Sequence, residues 1–436
     1  MKNIYLLSAL AALSLTACEP DLRSEAPTAN GLDFSNYVAI GNSLTAGYSD
    51  GTLYRSGQLN SYPAMLAEQF SIFGADTFRQ ALLPGESGWP GPKRVLAVTT
   101  GCNGATGLSP VLFSGSRADT AGSAMNVSAE GPYNNFGIPG IRAVDYLNPL
   151  YGYLNPYAGR IMPAGLVTPL QAVKMNPATF FTIWLGNNDV LGYALSGGEG
   201  NPNPQHPDNI SDLNAFRAAY DSVVNTMTAG GAKGVLINIP DITAIPFFTT
   251  VPRNGLQLDT TNAAALNMAY ANTGVSFMTG ANNFVIQDLT NPYGFRQIRA
   301  DEYVLLNVPQ DSIRCAGWGS TKPIPKSYVL TSDEVARIRT ATMQFNNFIQ
   351  AEAIAHQLAY VDMNAYLRTL QSGVGFSGIT FTPQFVTGGA FSLDGVHLTP
   401  RGYALAANEI IRVINAYYGS TIPGVDVARY GGVRFP

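Results

Sequence analysis

Charge is scarce in this chain. Only 12% of its 436 residues are Asp, Glu, Lys or Arg, 25 basic against 29 acidic, for a formal net charge of -4. So small a balance, with no dense Lys/Arg cluster, argues against a phosphate-backbone partner, and no nucleic acid is expected. Histidine and cysteine are rarer still, with three of each. Any reaction that needs an imidazole base has only His206, His356 and His397 to draw on. No repeat of roughly 20 to 50 residues is present, which sets aside solenoids and arrays. Against these absences stand a 46% hydrophobic fraction, too high for disorder, and 45 Gly, 28 Pro and 22 Tyr, the mark of a loop-rich globular protein. The length exceeds a usual domain of about 100 to 200 residues, so two domains or one heavily decorated domain is expected.

The N-terminus reads as an address. Lys2 is followed by the apolar run IYLLSALAALSL and then Leu15-Thr16-Ala17-Cys18. This is the pattern of a signal peptide over 1–17, and its end resembles a bacterial lipobox, which implies cleavage before Cys18 and lipidation of that thiol. Residues 18–33 are polar and Pro-containing, as a lipidated tether should be. A lipid anchor rather than a transmembrane helix would then hold the protein in the cell envelope, and Glu19 after the cysteine resembles outer-membrane sorting. Export also permits a disulfide between Cys102 and Cys315, without requiring one.

Beyond the tether, short apolar runs alternate with helical patterns. Strands are expected at 37–40, 134–138, 180–185, 234–239 and 358–361. Helices are expected in SYPAMLAEQF, IRAVDYL, LNAFRAAYDSVVNTMTA, the run opened by Thr331-Ser332-Asp333-Glu334, and PRGYALAANEIIRVINAYYG with Gly419 at its end. That alternation predicts an α/β fold with a mostly parallel sheet between helical layers over about 34–420, and a C-terminal tail over 421–436. Segments near 83–131, 148–172, 193–210, 246–330 and 370–391 fit no element of such a sheet. They read as long loop insertions walling a site, with 246–330 able to form a subdomain.

Two serines compete as a nucleophile in YVAIGNSLTAGYSDG. Ser43 lies two residues past a strand-like run, at the carboxyl edge where open α/β sheets bind ligands. Ser49 satisfies G-x-S-x-G, but no strand leads directly into it. Of the histidines, His206 sits in a Pro/Asn loop and His356 at a helix end, whereas His397 has Asp394 three residues before it. A carboxylate so placed can fix the imidazole tautomer and stabilise its charged form. Asn188, in Gly186-Asn187-Asn188-Asp189 after an apolar run, can donate an amide to an oxyanion, and Gly140 closes NNFGIPG, where backbone can approach a substrate.

In order and spacing these four blocks resemble the SGNH/GDSL hydrolase family: GNSL, NNFGIPG, GNND and DGVHLTP, spanning Tyr37 to about Tyr418. The resemblance implies a three-layer α/β/α flavodoxin-like fold with a five-stranded sheet, and an esterase acting on an acyl-ester substrate such as a small ester, a lipid or an acylated glycan. It implies Ser43 as nucleophile, His397 as base oriented by Asp394, and an oxyanion hole from the N–H groups of Ser43 and Gly140 with the Asn188 amide. No cofactor and no metal are needed. One departure is visible, Asn42 where the family carries Asp. Two other readings stay open at this level. One is an α/β-hydrolase-type esterase using Ser49, Asp362 and His397. The other is a non-catalytic surface lipoprotein that binds glycans through its Tyr-rich loops.

Overall fold

The structure, a computed structural model, describes residues 26–436 apart from Ser377. The signal peptide and the lipidation site Cys18 lie outside the described residues. Five strands form where the apolar runs predict them: β1 (Tyr37–Gly41), β2 (Asn135–Gly137), β3 (Phe180–Trp184), β4 (Lys233–Ile237) and β5 (Ala359–Val361). They pair in parallel throughout, in the order β5-β4-β3-β1-β2. This is the flavodoxin-like order, with its switch point between β1 and β3. Both of those strands are buried along their whole length, as strands covered on two faces must be.

The helices that matter to the site are α1 (Ser43–Ala46), α2 (Tyr62–Phe70), α3 (Asn188–Leu195), α4 (Leu213–Thr228), α5 (Ser332–Ala355) and α6 (Pro400–Tyr418). A reciprocal Thr331/Glu334 capping box starts α5. Thr399 caps α6, Pro400 opens it, and Gly419 ends it in the left-handed conformation at φ 71°. On one face α2 packs on α6, and on the other α4 packs on α5. Alternation along β3 serves both layers: Phe180 meets Phe34 and Phe70 on the α2 side, while Phe216 of α4 stacks on Phe345 of α5 at 4.1 Å.

Three expectations are corrected. IRAVDYL forms a 3-10 turn, Ala143–Leu147, rather than an α-helix, because Arg142 and Asp145 close it locally and Asn148, held extended before Pro149, stops it. The GNND block, after which no helix is expected from the sequence, begins α3 at once. Residues 26–33, read as tether, join the folded unit: Thr28 exchanges hydrogen bonds with Thr421, and Asn30 Nδ2 donates to the Tyr418 carbonyl.

The insertions are structured. The 83–131 segment carries a hairpin, Arg94–Thr100 with Thr106–Leu112. The 246–330 segment builds two small apolar clusters of its own, one around Phe284, Ile286 and Ile324, the other around Leu266, Tyr270 and Phe277. A disulfide between Cys102 and Cys315 ties these two insertions together.

Phe180 is wholly buried between two aromatic rings of the α2 layer, so Phe180→Ala should lower unfolding stability by about 3 to 5 kcal/mol. Chemical denaturation checks this; a loss under about 1 kcal/mol would mean that the layer is not packed as described.

Candidate active site

The site starts from glycine. β1 ends at Gly41 and β2 at Gly137, and a Cβ on either would run into α1, on Thr45 and Ala46 respectively. Their absence lets α1 lie directly on the sheet edge. Asn42 precedes α1 and accepts the Leu44 N–H through Oδ1 at 3.0 Å. Ser43 is therefore the first helical residue, and its N–H has no intrahelical partner.

Ser43 Oγ lies 2.8 Å from Nε2 of His397, whose Nδ1 lies 2.7 Å from Asp394 Oδ2. All three side chains are largely buried, with His397 and Asp394 at 13% and 11% exposure. Burial alone would raise the Asp394 pKa. The neighbouring His397 charge, the His397 ring hydrogen bond and the N–H groups of His397 and Val396 outweigh it and hold the carboxylate well below its ordinary value. Ser392 Oγ and the Gly51 N–H complete its partners, each at 3.0 Å.

Gly140 and Asn188 flank this arrangement. Gly140 sits at φ +85°, where any other residue would be strained, and its N–H makes no hydrogen bond among the described residues. The carbonyl of the preceding Pro139 is held by Asn155 Nδ2 at 2.8 Å. Asn188 opens α3; one of its amide hydrogens goes to the Ile141 carbonyl at 2.9 Å, and the second has no partner among the described residues. Asp189, next in the chain, is wholly buried and accepts the Ala143 N–H at 2.7 Å, so the Gly140 turn is fastened to α3 twice over.

Ser49 is not near an imidazole in this way. It is 1% exposed and its hydroxyl donates to the Leu398 carbonyl at 3.1 Å. Asp362 caps the helix Met363–Thr369 and accepts from Asn238. Thus the Ser49, Asp362 and His397 set is not assembled. His206 lies beside Asp208 in its loop, and His356 beside Glu352.

Residues that motif reading passed over lie close by. The Tyr48 ring packs on the His397 ring at 4.5 Å between centroids. Asp50 accepts the Leu393 N–H at 3.0 Å and the Tyr54 hydroxyl at 2.7 Å, and the Asp50 N–H donates to Ser392 Oγ at 3.0 Å. The GYSDG pattern was the available signal, but it marks a clamp on the Asp394–His397 loop rather than a nucleophile.

Beside Ser43 opens a narrow cavity of about 40 Å³, apolar on most sides, with Leu44, Leu191, Ile242, Ile245, Leu367 and Phe391 among its walls. Of the five insertions only 370–391 reaches it, through Phe391. The others expected to wall the site stand back from it, because the short loops after β4 and β5 already close its sides. Three of them brace the site's loops instead. Arg94 donates to the Asp50 carbonyl at 2.8 Å, Asn155 holds Pro139, and the Phe247 N–H donates to the Gly395 carbonyl at 2.9 Å.

The sequence model of the GDSL-like lipase/acylhydrolase family matches residues 37–410, most of the chain. The chain belongs to this family. It is therefore a hydrolase of ester bonds, a serine esterase/acylhydrolase. Among curated proteins, none matches the chain.

Asp189 gives this GDSL-family site a pH signature. Burial drives its pKa up from 3.8 to about 7 against the lowering effect of the Ala143 hydrogen bond. A carboxyl whose pKa is raised by folding contributes stability in full below about pH 4 and loses it as pH rises through about 7. Asp189→Asn removes that titration, so relative to wild type its stability should gain roughly 3 to 5 kcal/mol between pH 4 and pH 8. Denaturation curves at the two pH values test this; parallel behaviour of the two proteins would contradict it.

Proposed function

We propose that the protein is a lipid-anchored esterase in which Ser43 attacks the acyl carbon, His397 serves as base and then acid, and Asp394 orients the imidazole. The observation that carries this reading is the continuous contact from Ser43 Oγ through His397 to Asp394, at 2.8 and 2.7 Å. As Ser43 Oγ bonds to the acyl carbon, its proton passes to His397 Nε2 and the carbonyl electron pair moves onto oxygen. The N–H groups of Ser43 and Gly140 and the second amide hydrogen of Asn188 receive that negative oxygen. Collapse breaks the ester C–O bond, and the departing alcohol takes the proton from Nε2. Water, deprotonated by His397, then repeats the sequence and frees the acid.

The narrow cavity beside Ser43 supports a short acyl group. It is narrow and walled chiefly by apolar side chains, as a small acyl group requires. The Leu-Thr-Ala-Cys18 sequence and the polar stretch behind it support the lipid anchor in the envelope, with Glu19 favouring the outer membrane.

Ser43→Ala should abolish hydrolysis of p-nitrophenyl acetate, Ser49→Ala should leave the serine chemistry in place, and Asn188→Ala should reduce kcat by about 10²- to 10³-fold. Fluorophosphonate labelling with peptide mapping checks the nucleophile; an adduct on Ser49 would overturn the assignment. Among p-nitrophenyl esters, kcat/KM should fall at least tenfold from butyrate to laurate, and a preference for laurate would sink the short-acyl reading.

A further inference from the structure

Away from Ser43, α4 and α5 bring Asp221, Glu352 and His356 together. Each offers one ligand atom, and the three atoms lie within 4.8 Å of one another. Glu352 and His356 are four apart at the end of α5, so they share one face of the helix. Asp221 comes from the middle of α4, across the helix interface.

The contact between His356 Nε2 and Glu352 Oε2 is 3.5 Å. That is too long for a good hydrogen bond. It is close to the edge of a tetrahedron with ligand bonds of about 2.0 to 2.1 Å. Glu352 is 9% exposed, and its Oε2 is buried without a hydrogen-bond partner. Among the described residues neither Glu352 nor Asp221 forms an ion pair with a lysine or arginine. Two adjacent carboxylates, one of them buried, thus face each other beside an imidazole and the buried Tyr220, with no lysine or arginine paired to them among the described residues. A buried carboxylate in its ionised form is costly unless a cation joins it. The other imidazole nitrogen, Nδ1, rests 3.5 Å from Thr228 Oγ1, which leaves Nε2 directed to the carboxylate side. Asp221 and His356 are partly exposed, and so an ion can enter.

The geometry points to a divalent metal site of the zinc class, ligated by Asp221, Glu352 and His356, that staples α4 to α5. One imidazole with two carboxylates suits zinc better than calcium or magnesium, which take oxygen ligands. A water completes the tetrahedron. The site takes no part in ester hydrolysis; it fixes the helical layer behind β3 and β4.

The test uses untagged, purified protein stripped with EDTA and then titrated with zinc alone. Elemental analysis after dialysis should find one zinc per chain, and the melting temperature should rise by roughly 3 °C or more. His356→Ala and the milder Asp221→Asn should each lose the metal and the thermal shift, while keeping the wild-type circular dichroism and ester hydrolysis. Wild type that retains under a tenth of an equivalent of zinc, or variants that bind it as wild type does, would overturn the proposal.

Discussion

The buried Asp394 carboxylate is the point on which this molecule turns. Both of its oxygens are saturated: Ser392, Val396 and the His397 N–H on one, the His397 ring and Gly51 on the other. A carboxylate removed from water is expensive, and five donors aimed at it make the ionised state the stable one. Gly51 and Asp394 are 343 positions apart, so the same charge that contacts the imidazole also joins the loop after β1 to the loop before α6. Loss of Asp394 would leave five donors without their acceptor, among them the His397 ring and the Gly51 N–H.

That dependence explains where the insertions lie. The loops carrying Ser43, Gly140 and His397 are each held from outside as well as from within. The hairpin of 83–131 reaches Asp50, the 148–172 segment reaches Pro139, and 246–330 reaches Gly395. Each brace meets the backbone of a site loop, not the space where substrate binds. A family fold with a minimal loop set needs only the sheet edge. Here the extra chain stiffens that edge, and the disulfide between Cys102 and Cys315 couples two of the braces.

The sheet was legible because most of its strands are short apolar runs, the pattern of a parallel sheet buried on both faces; β2, Asn135-Phe136-Gly137, is the exception. Ser43, Asp394 and His397 were legible for a different reason: the chemistry restricts residue types, and only one histidine has an acid three positions before it. What could not be read is what depends on contact between distant segments. Ser49 carries a formal nucleophile motif, yet its hydroxyl is spent on Leu398, 349 positions away. Asn188 was read as an oxyanion donor after a strand, but no helix was expected to begin there. The start of α3 there depends on the clasp between Asp189 and Ala143, 46 positions apart. Asp221 and Glu352 lie on separate helices, and no spacing rule connects them.

Asn42 remains the one departure from the family pattern, and its surroundings account for it. The position is 1% exposed, and its task is to accept the Leu44 N–H at the start of α1. Either Asn or Asp supplies that acceptor. An Asp here would bury a further negative charge close to a site that already holds Asp394 and, behind it, Asp50. The amide avoids that repulsion at a different expense, since its Nδ2 is buried without a partner, a defect worth about 1 to 3 kcal/mol. The exchange is between a buried charge and an orphaned donor. The turn holding Ser43 keeps its cap, since Asn42 Oδ1 supplies the same acceptor that an Asp carboxylate would.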